Sequence, residues 1–127
     1  MAAEYLLKVI HSFSAAHYLR GYAGRCARMH GHDYKIEVEL ACPHLNTIGL
    51  GIDYNDIKVV LFELTDILDH RCINEIPPFV EINPSAENIA AWFYRELNDK
   101  FKAIDEAISV KAVILQETEK FSVRYSE

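Results

Sequence analysis

The sequence predicts an α+β domain in which four antiparallel strands are covered on one face by two helices, in the order β-β-α-α-β-β. Three observations carry that expectation. Two segments near the N-terminus alternate apolar and polar residues, Tyr5 to Phe13 and Asp33 to Cys42. Two central segments, from Tyr54 and from Ser85, repeat apolar residues at helical spacing. Two short apolar runs, Val110 to Gln116 and Phe121 to Tyr125, then flank a polar turn. Strands in hairpin-like pairs on either side of a helical pair argue an antiparallel sheet with helices segregated to one face. The 127 residues suit one domain, 1–127, with no repeat, low-complexity stretch or linker.

The first strand places Tyr5, Leu7, Val9 and Phe13 on one face, with Lys8 and Ser12 on the other. From Ala15 to Met29 there are two glycines and three arginines without clean periodicity, which reads as a long loop of the kind that carries function. The second strand is the clearest, because Tyr34, Ile36, Val38 and Leu40 alternate with Asp33, Lys35, Glu37 and Glu39. Pro43 to Gly51 is turn-rich. Asp53 then suits an N-cap, and Ile57, Val60, Leu61, Leu64 and Leu68 form the stripe of a helix from Tyr54 to Leu68. Pro77-Pro78 blocks its continuation. Ser85 opens the second helix, whose stripe is Ile89, Trp92, Phe93, Leu97 and Phe101. Glu117 to Lys120 fits the turn between the last two strands.

Composition narrows the function. Half of the residues are hydrophobic and a quarter charged, an ordinary globular balance, and the formal net charge is −6. An acidic chain repels phosphate backbones, which argues against a nucleic-acid partner. No run of about 18 apolar residues argues a membrane span. The start, Met1 to Lys8, lacks the basic and apolar regions of a signal peptide, so a cytoplasmic location is expected. Cys26, Cys42 and Cys72 are too few and too scattered for a disulfide framework, and are expected to be free thiols. A four-stranded sheet also leaves open edges, which invite other subunits.

His30-Gly31-His32 opens the second strand. Residues two apart on a strand share a face, so both imidazoles project beside the Tyr34-Ile36-Val38 wall. Two neutral imidazoles on an apolar wall are half of a zinc site, and a catalytic zinc takes three protein ligands and leaves one position open. The third is drawn from His11, His17, His44 and His70. His17 is favoured, because a hairpin returns the chain after Phe13 to His30. His11 and His44 read as structural or surface residues. An H-x-H pair can equally be two exposed rings bonded to neighbouring carbonyls.

Four more groups read in more than one way. Cys26, flanked by Arg25 and Arg28, has neighbours that favour a thiolate base or nucleophile, or it is a fourth metal ligand or an inert small residue. Asp69-His70 is either an acid that fixes an imidazole's tautomer or the charged end of a helix. Glu117 is either a solvated turn carboxylate or an acceptor for two parallel N–H donors of a guanidine-like heterocycle edge. Ser85, Ala86, Glu87 and Asn88 form a helix start that could also line a pocket.

Taken in order, F-S-A-A-H ending at His17, C-A-R-M-H-G-H from Cys26 to His32, L-D-H from Leu68 to His70, P-S-A-E-N from Pro84 to Asn88 and Q-E-T from Gln116 to Thr118 resemble the 6-pyruvoyl-tetrahydropterin synthase family. The resemblance spans nearly the whole chain and includes the family's bacterial 6-carboxy-tetrahydropterin synthase branch. It implies a T-fold subunit that joins its sheet to others in a barrel, as a homohexamer made of two trimers. It implies zinc on His17, His30 and His32, a proton-abstracting Cys26, an Asp69–His70 relay, and Glu117 as anchor of a pterin ring, with Ser85 in the pocket. The active site would lie between subunits. Three residues between Cys26 and His30 resemble the carboxy branch, which feeds queuosine synthesis; eukaryotic pyruvoyl synthases usually have five. The implied substrate is 7,8-dihydroneopterin triphosphate, cleaved to 6-carboxytetrahydropterin, acetaldehyde and triphosphate. Arg20, Arg25, Arg28 and Lys120 are candidate triphosphate partners. The competing expectations are a pyruvoyl synthase, which eliminates triphosphate without cleaving the side chain, and a non-catalytic zinc-stabilised pterin scaffold.

Overall fold

Tyr5–His17 (β1) and His30–Cys42 (β2) pair antiparallel along their whole lengths, from Tyr5 opposite Cys42 to His17 opposite His30. The computed structural model describes residues 4–127. Helices Tyr54–Leu68 (α1) and Ala86–Ile104 (α2) follow, then strands Ser109–Thr118 (β3) and Phe121–Tyr125 (β4). The strand order is β1-β2-β3-β4, all antiparallel.

Both helices begin and end as their residues dictate. Asp53 accepts from the amide of Asn55 and Ser85 from the amide of Asn88, satisfying orphan donors of each first turn. Their stripes bury Ile57, Leu61, Leu64 and Leu68 from α1 and Ile89, Phe93, Leu97 and Phe101 from α2. These pack on Phe13, Tyr34, Ile36, Val38 and Leu40, which share one face of the sheet. Phe93 is fully buried, and replacing such a ring by alanine typically costs about 3–5 kcal/mol. The other face carries charge, with Lys8 3.7 Å from Glu37 and Arg124 3.7 Å from Glu39.

Two expectations are corrected. The stretch after Phe13 is strand, not loop: β1 runs to His17, because Ser14, Ala15 and Ala16 pair with Asp33, His32 and Gly31. Small residues hide the alternation there, yet Ala15 and His17 are buried. β2 starts at His30, as the H-x-H reading has it, three residues before the clean alternation that begins at Asp33. Finally, β3 extends through Glu117 to Thr118, so Glu117 belongs to a strand and only Glu119 and Lys120 make the turn. Two short 3₁₀ turns, Arg25–Ala27 and Ile73–Glu75, also lie in segments expected to be irregular.

The edge of β1 is partly covered by the chain that leaves α1. The amide of Ala16 donates to the Arg71 carbonyl at 3.0 Å, the His70 amide donates to the Ser14 carbonyl, and Ala16 bridges Cys72 in parallel. This addition places Asp69 and His70 at the histidine end of the sheet.

Candidate metal and active site

His17 ends β1, His30 opens β2, and the two face each other directly across the ladder. Their ring centroids are 4.6 Å apart. His32, two residues further on the same face, lies 5.1 Å from the His17 ring and 4.8 Å from the His30 ring. The pairing that builds the hairpin thus gathers three imidazoles without any loop to aim them.

Backbone carbonyls fix two of these rings. Nδ1–H of His17 donates to the Pro84 carbonyl at 2.7 Å, and Nδ1–H of His30 to the Arg28 carbonyl at 2.7 Å. Each leaves Nε2 with a free lone pair, the tautomer a metal needs. Glu117 joins them from β3, its Oε1 3.2 Å from Nε2 of His17 and 2.8 Å from Nε2 of His32. The four groups present ligand atoms within 4.8 Å of one another.

This donor set fits a divalent cation. Nε2 of His17 and of His32 are buried with no hydrogen-bond partner, and a buried unpaired polar atom is costly. His17 is only 1 % exposed. Burial, above all, lowers the pKa of His32, against the pull of Glu117, so the ring favours its neutral form. Three imidazoles beside a carboxylate are a donor set suited to zinc, although other divalent ions use it too. Next on the same face, Tyr34 has a buried hydroxyl without a partner, and burial pushes its pKa up.

Asp69 and His70 follow α1. Nδ1 of His70 lies 2.9 Å from Oδ2 of Asp69, while Oδ1 accepts from the Ser14 amide at 2.9 Å. That amide, and then His70, hold the Asp69 carboxyl below its ordinary range. His70 has a positive φ of 56°, and its side chain is 81 % exposed. A non-glycine residue in that region is held there by its surroundings, here the strand-like contacts of residues 70–72 to β1. An open cavity of about 510 Å³ joins His70 and Cys72 to Met29 and His32.

Cys26 sits in the first 3₁₀ turn, half-buried and free of disulfide. Among the described residues no hydrogen bond or ion pair joins its thiol to Asp69 or His70, and it does not line the cavity at His70. One chain therefore assembles the histidines and Glu117, and separately Asp69 with His70, but leaves Cys26 apart. Ser85 caps α2; its hydroxyl accepts from Asn88 at 3.2 Å and keeps its own O–H free to donate.

Sequence reasoning missed the clamp that holds this end together. Asn74 accepts from the Tyr18 amide and donates to the Tyr18 carbonyl, both at 2.9 Å. Asn83 does the same to Arg20, at 2.8 and 2.9 Å. Each carboxamide imitates a ladder partner. The Arg20 guanidinium donates to the carbonyls of Ile82, Asn74 and Phe79, which commits it to the clamp. Partners more than 50 residues apart leave no local signal, so only the fold reveals them. His11 stacks on Phe62 of α1 with centroids 3.9 Å apart, and His44 is exposed, away from the cluster.

The family model for 6-pyruvoyl tetrahydropterin synthase matches residues 6–127. A putative 6-carboxy-5,6,7,8-tetrahydropterin synthase of Archaeoglobus fulgidus is 35 % identical over 100 residues, 79 % of this chain and 82 % of that one. A 6-carboxy-5,6,7,8-tetrahydropterin synthase of Haemophilus influenzae is 28 % identical over 91 % of this chain and 94 % of its own length. Among solved structures, the 6-pyruvoyl tetrahydropterin synthase of Caenorhabditis elegans superposes with a TM-score of 0.84 at 24 % identity, over 98 % of this chain and 96 % of that one. At that identity the likeness speaks to the fold.

Proposed function

The chain belongs to the 6-pyruvoyl tetrahydropterin synthase family, and from that premise we propose that it is a zinc-dependent 6-carboxy-5,6,7,8-tetrahydropterin synthase. It takes 7,8-dihydroneopterin triphosphate and water to 6-carboxytetrahydropterin, acetaldehyde and triphosphate, a step toward 7-deazaguanines such as queuosine. The reading is supported by relatives that bear that name and by the three Cys26–His30 spacer residues. The observation that carries it is the convergence of His17, His30, His32 and Glu117 on one point at the end of the β1–β2 hairpin.

Zinc bound by His17, His30 and His32 would supply Lewis acidity to the substrate's side-chain hydroxyls and lower their pKa. The protein's own groups do the rest. Cys26, as thiolate, removes a carbon-bound proton. Asp69 takes the Nδ1–H of His70, which leaves Nε2 as the atom that accepts and returns a second proton. Glu117 receives the ring N–H and amino group of the pterin, and the Ser85 O–H donates within the same pocket. Exposed Arg25, Arg28 and Lys120 remain to meet the triphosphate, since Arg20 is committed to carbonyls. An internal redox shift moves hydrogen into the pterin ring, so no nicotinamide is needed.

Cys26 and His70 would meet across subunits. The β1 edge from Tyr5 to Phe13 and the β4 edge lack a neighbour among the described strands, and pairing them between copies would close a barrel in each trimer of a homohexamer. A cytoplasmic location fits this reading, and no described helix is long and apolar enough to cross a membrane.

The test incubates zinc-loaded protein with 7,8-dihydroneopterin triphosphate and identifies products by mass spectrometry, with the aldehyde trapped. Carboxytetrahydropterin with acetaldehyde is expected. Pyruvoyl-tetrahydropterin without acetaldehyde would move the chain to the other branch, and pterin binding without turnover would make it a scaffold.

A further inference from the structure

Glu117 occupies the one position of β3 that the ladder to β4 skips: Gln116 pairs with Ser122 and Thr118 with Phe121. An extra residue in one strand bends it and re-aims a side chain. The carboxylate aimed by this bulge has two surroundings. Its Oε1 touches Nε2 of His17 and His32. The same residue lines a separate cavity of about 380 Å³ with Ala86, Phe121 and Ser122.

The contacts to the histidines are not hydrogen bonds. His17 spends its N–H on the Pro84 carbonyl, so its Nε2 presents a lone pair to an anionic oxygen 3.2 Å away. Nε2 of both His17 and His32 is buried without a hydrogen-bond partner. Two acceptors held that close repel each other, and a cation between them turns repulsion into ligation. A metal with three imidazoles and one carboxylate has a closed tetrahedral shell, whereas three protein ligands leave a position open.

From this juxtaposition we propose that Glu117 is a switching ligand. It fills the metal's fourth position in the substrate-free protein and turns toward the neighbouring cavity when substrate arrives. The ligand half of this inference stands on the geometry alone; the switching half rests on the pterin reading of the site. Two parallel N–H donors of a heterocycle take both carboxylate oxygens, so Glu117 cannot hold such a ring and keep an oxygen on the metal, and the bulge gives the strand a residue free of the ladder to alternate between them.

The test loads the full-length protein with cobalt(II) and compares the parent with Glu117→Ala and Glu117→Gln, using azide as the probe of an open position. Both variants are expected to bind azide more tightly than the parent, with a changed visible spectrum. They should also hold the metal at least about 10-fold less tightly against a chelator. Parent-like azide and metal affinities in both variants would overturn the ligand assignment. Unphosphorylated neopterin, whose fluorescence reports its own binding, then tests the switch in the parent. Binding with a spectral shift toward that of Glu117→Ala supports it, and binding with an unchanged cobalt spectrum overturns it. No neopterin binding at all would instead overturn the pterin reading, and the azide comparison still decides the ligand.

Discussion

The histidine cluster and the Cys26, Asp69 and His70 groups sit at the same end of the molecule but are built differently. His17, His30, His32 and Glu117 stand on strands, and their meeting follows from the β1–β2 register plus one bulge. Cys26 and the Asp69–His70 pair stand on connections, one in a 3₁₀ turn and the other on an exposed tail of α1. The strand-borne set is gathered within one chain, with His17 buried and the other three half-buried; in the loop-borne set His70 is exposed and Cys26 stands apart. Strands give precision because their geometry repeats, while connections give reach, which the proposed site between copies would require.

The largest expected effect attacks the strand-borne set. His17→Ala should lower zinc affinity by well more than the roughly 10- to 100-fold that a supporting residue costs, and abolish turnover with it; full zinc stoichiometry by elemental analysis would break the claim that this set is the metal site. Cys26→Ala should lose about 10²- to 10⁴-fold in turnover while zinc content stays intact. If both losses appeared together, the two regions would not be separable.

A mixing experiment sharpens the contrast. Inactive Cys26→Ala and inactive His70→Ala proteins, unfolded together and refolded as mixed oligomers, should recover part of the activity if the groups meet across copies. Persistent inactivity in verified mixed oligomers would place them within one chain. A smaller effect tests the clamp: Asn83→Ala leaves the Arg20 amide and carbonyl without their partner and should cost about 1–3 kcal/mol of stability, read by denaturant unfolding.

The smallest effect is a pH dependence. The folded-state pKa of Asp69 is lowered, so its contribution is present above the ordinary carboxylate pKa and fades as pH falls through the folded value. Asp69→Asn should therefore flatten the acid side of the stability curve below about pH 4, where carboxylates ordinarily titrate. An identical acid limb in parent and variant would remove Asp69 from the linkage.

How much was legible followed from how local each signal was. α1 was readable to its ends because Asp53 and the 57-60-61-64-68 spacing are contiguous in sequence. The H-x-H pair is local too. His17 took its place only through pairing, and the Ser14-Ala15-Ala16 run hid the strand that carries it. Glu117 reads as a turn residue from sequence because Glu-Thr-Glu-Lys is polar throughout, and polarity does not distinguish a bulged strand end from a turn. The asparagine clamp bridges distant segments, so no window of sequence could contain it.

Because His17 faces His30 across the ladder, the metal would also read the hairpin's register. A slip of one residue between β1 and β2 turns every side chain of the slipped strand to the other face, and His17 would leave the cluster. Only the native alignment presents all three imidazoles together, so an ion that binds the folded chain adds its binding free energy to that alignment alone. The ion would thus act as a proofreader of strand pairing, rewarding the correct hairpin over neighbours that bury the same apolar residues less well.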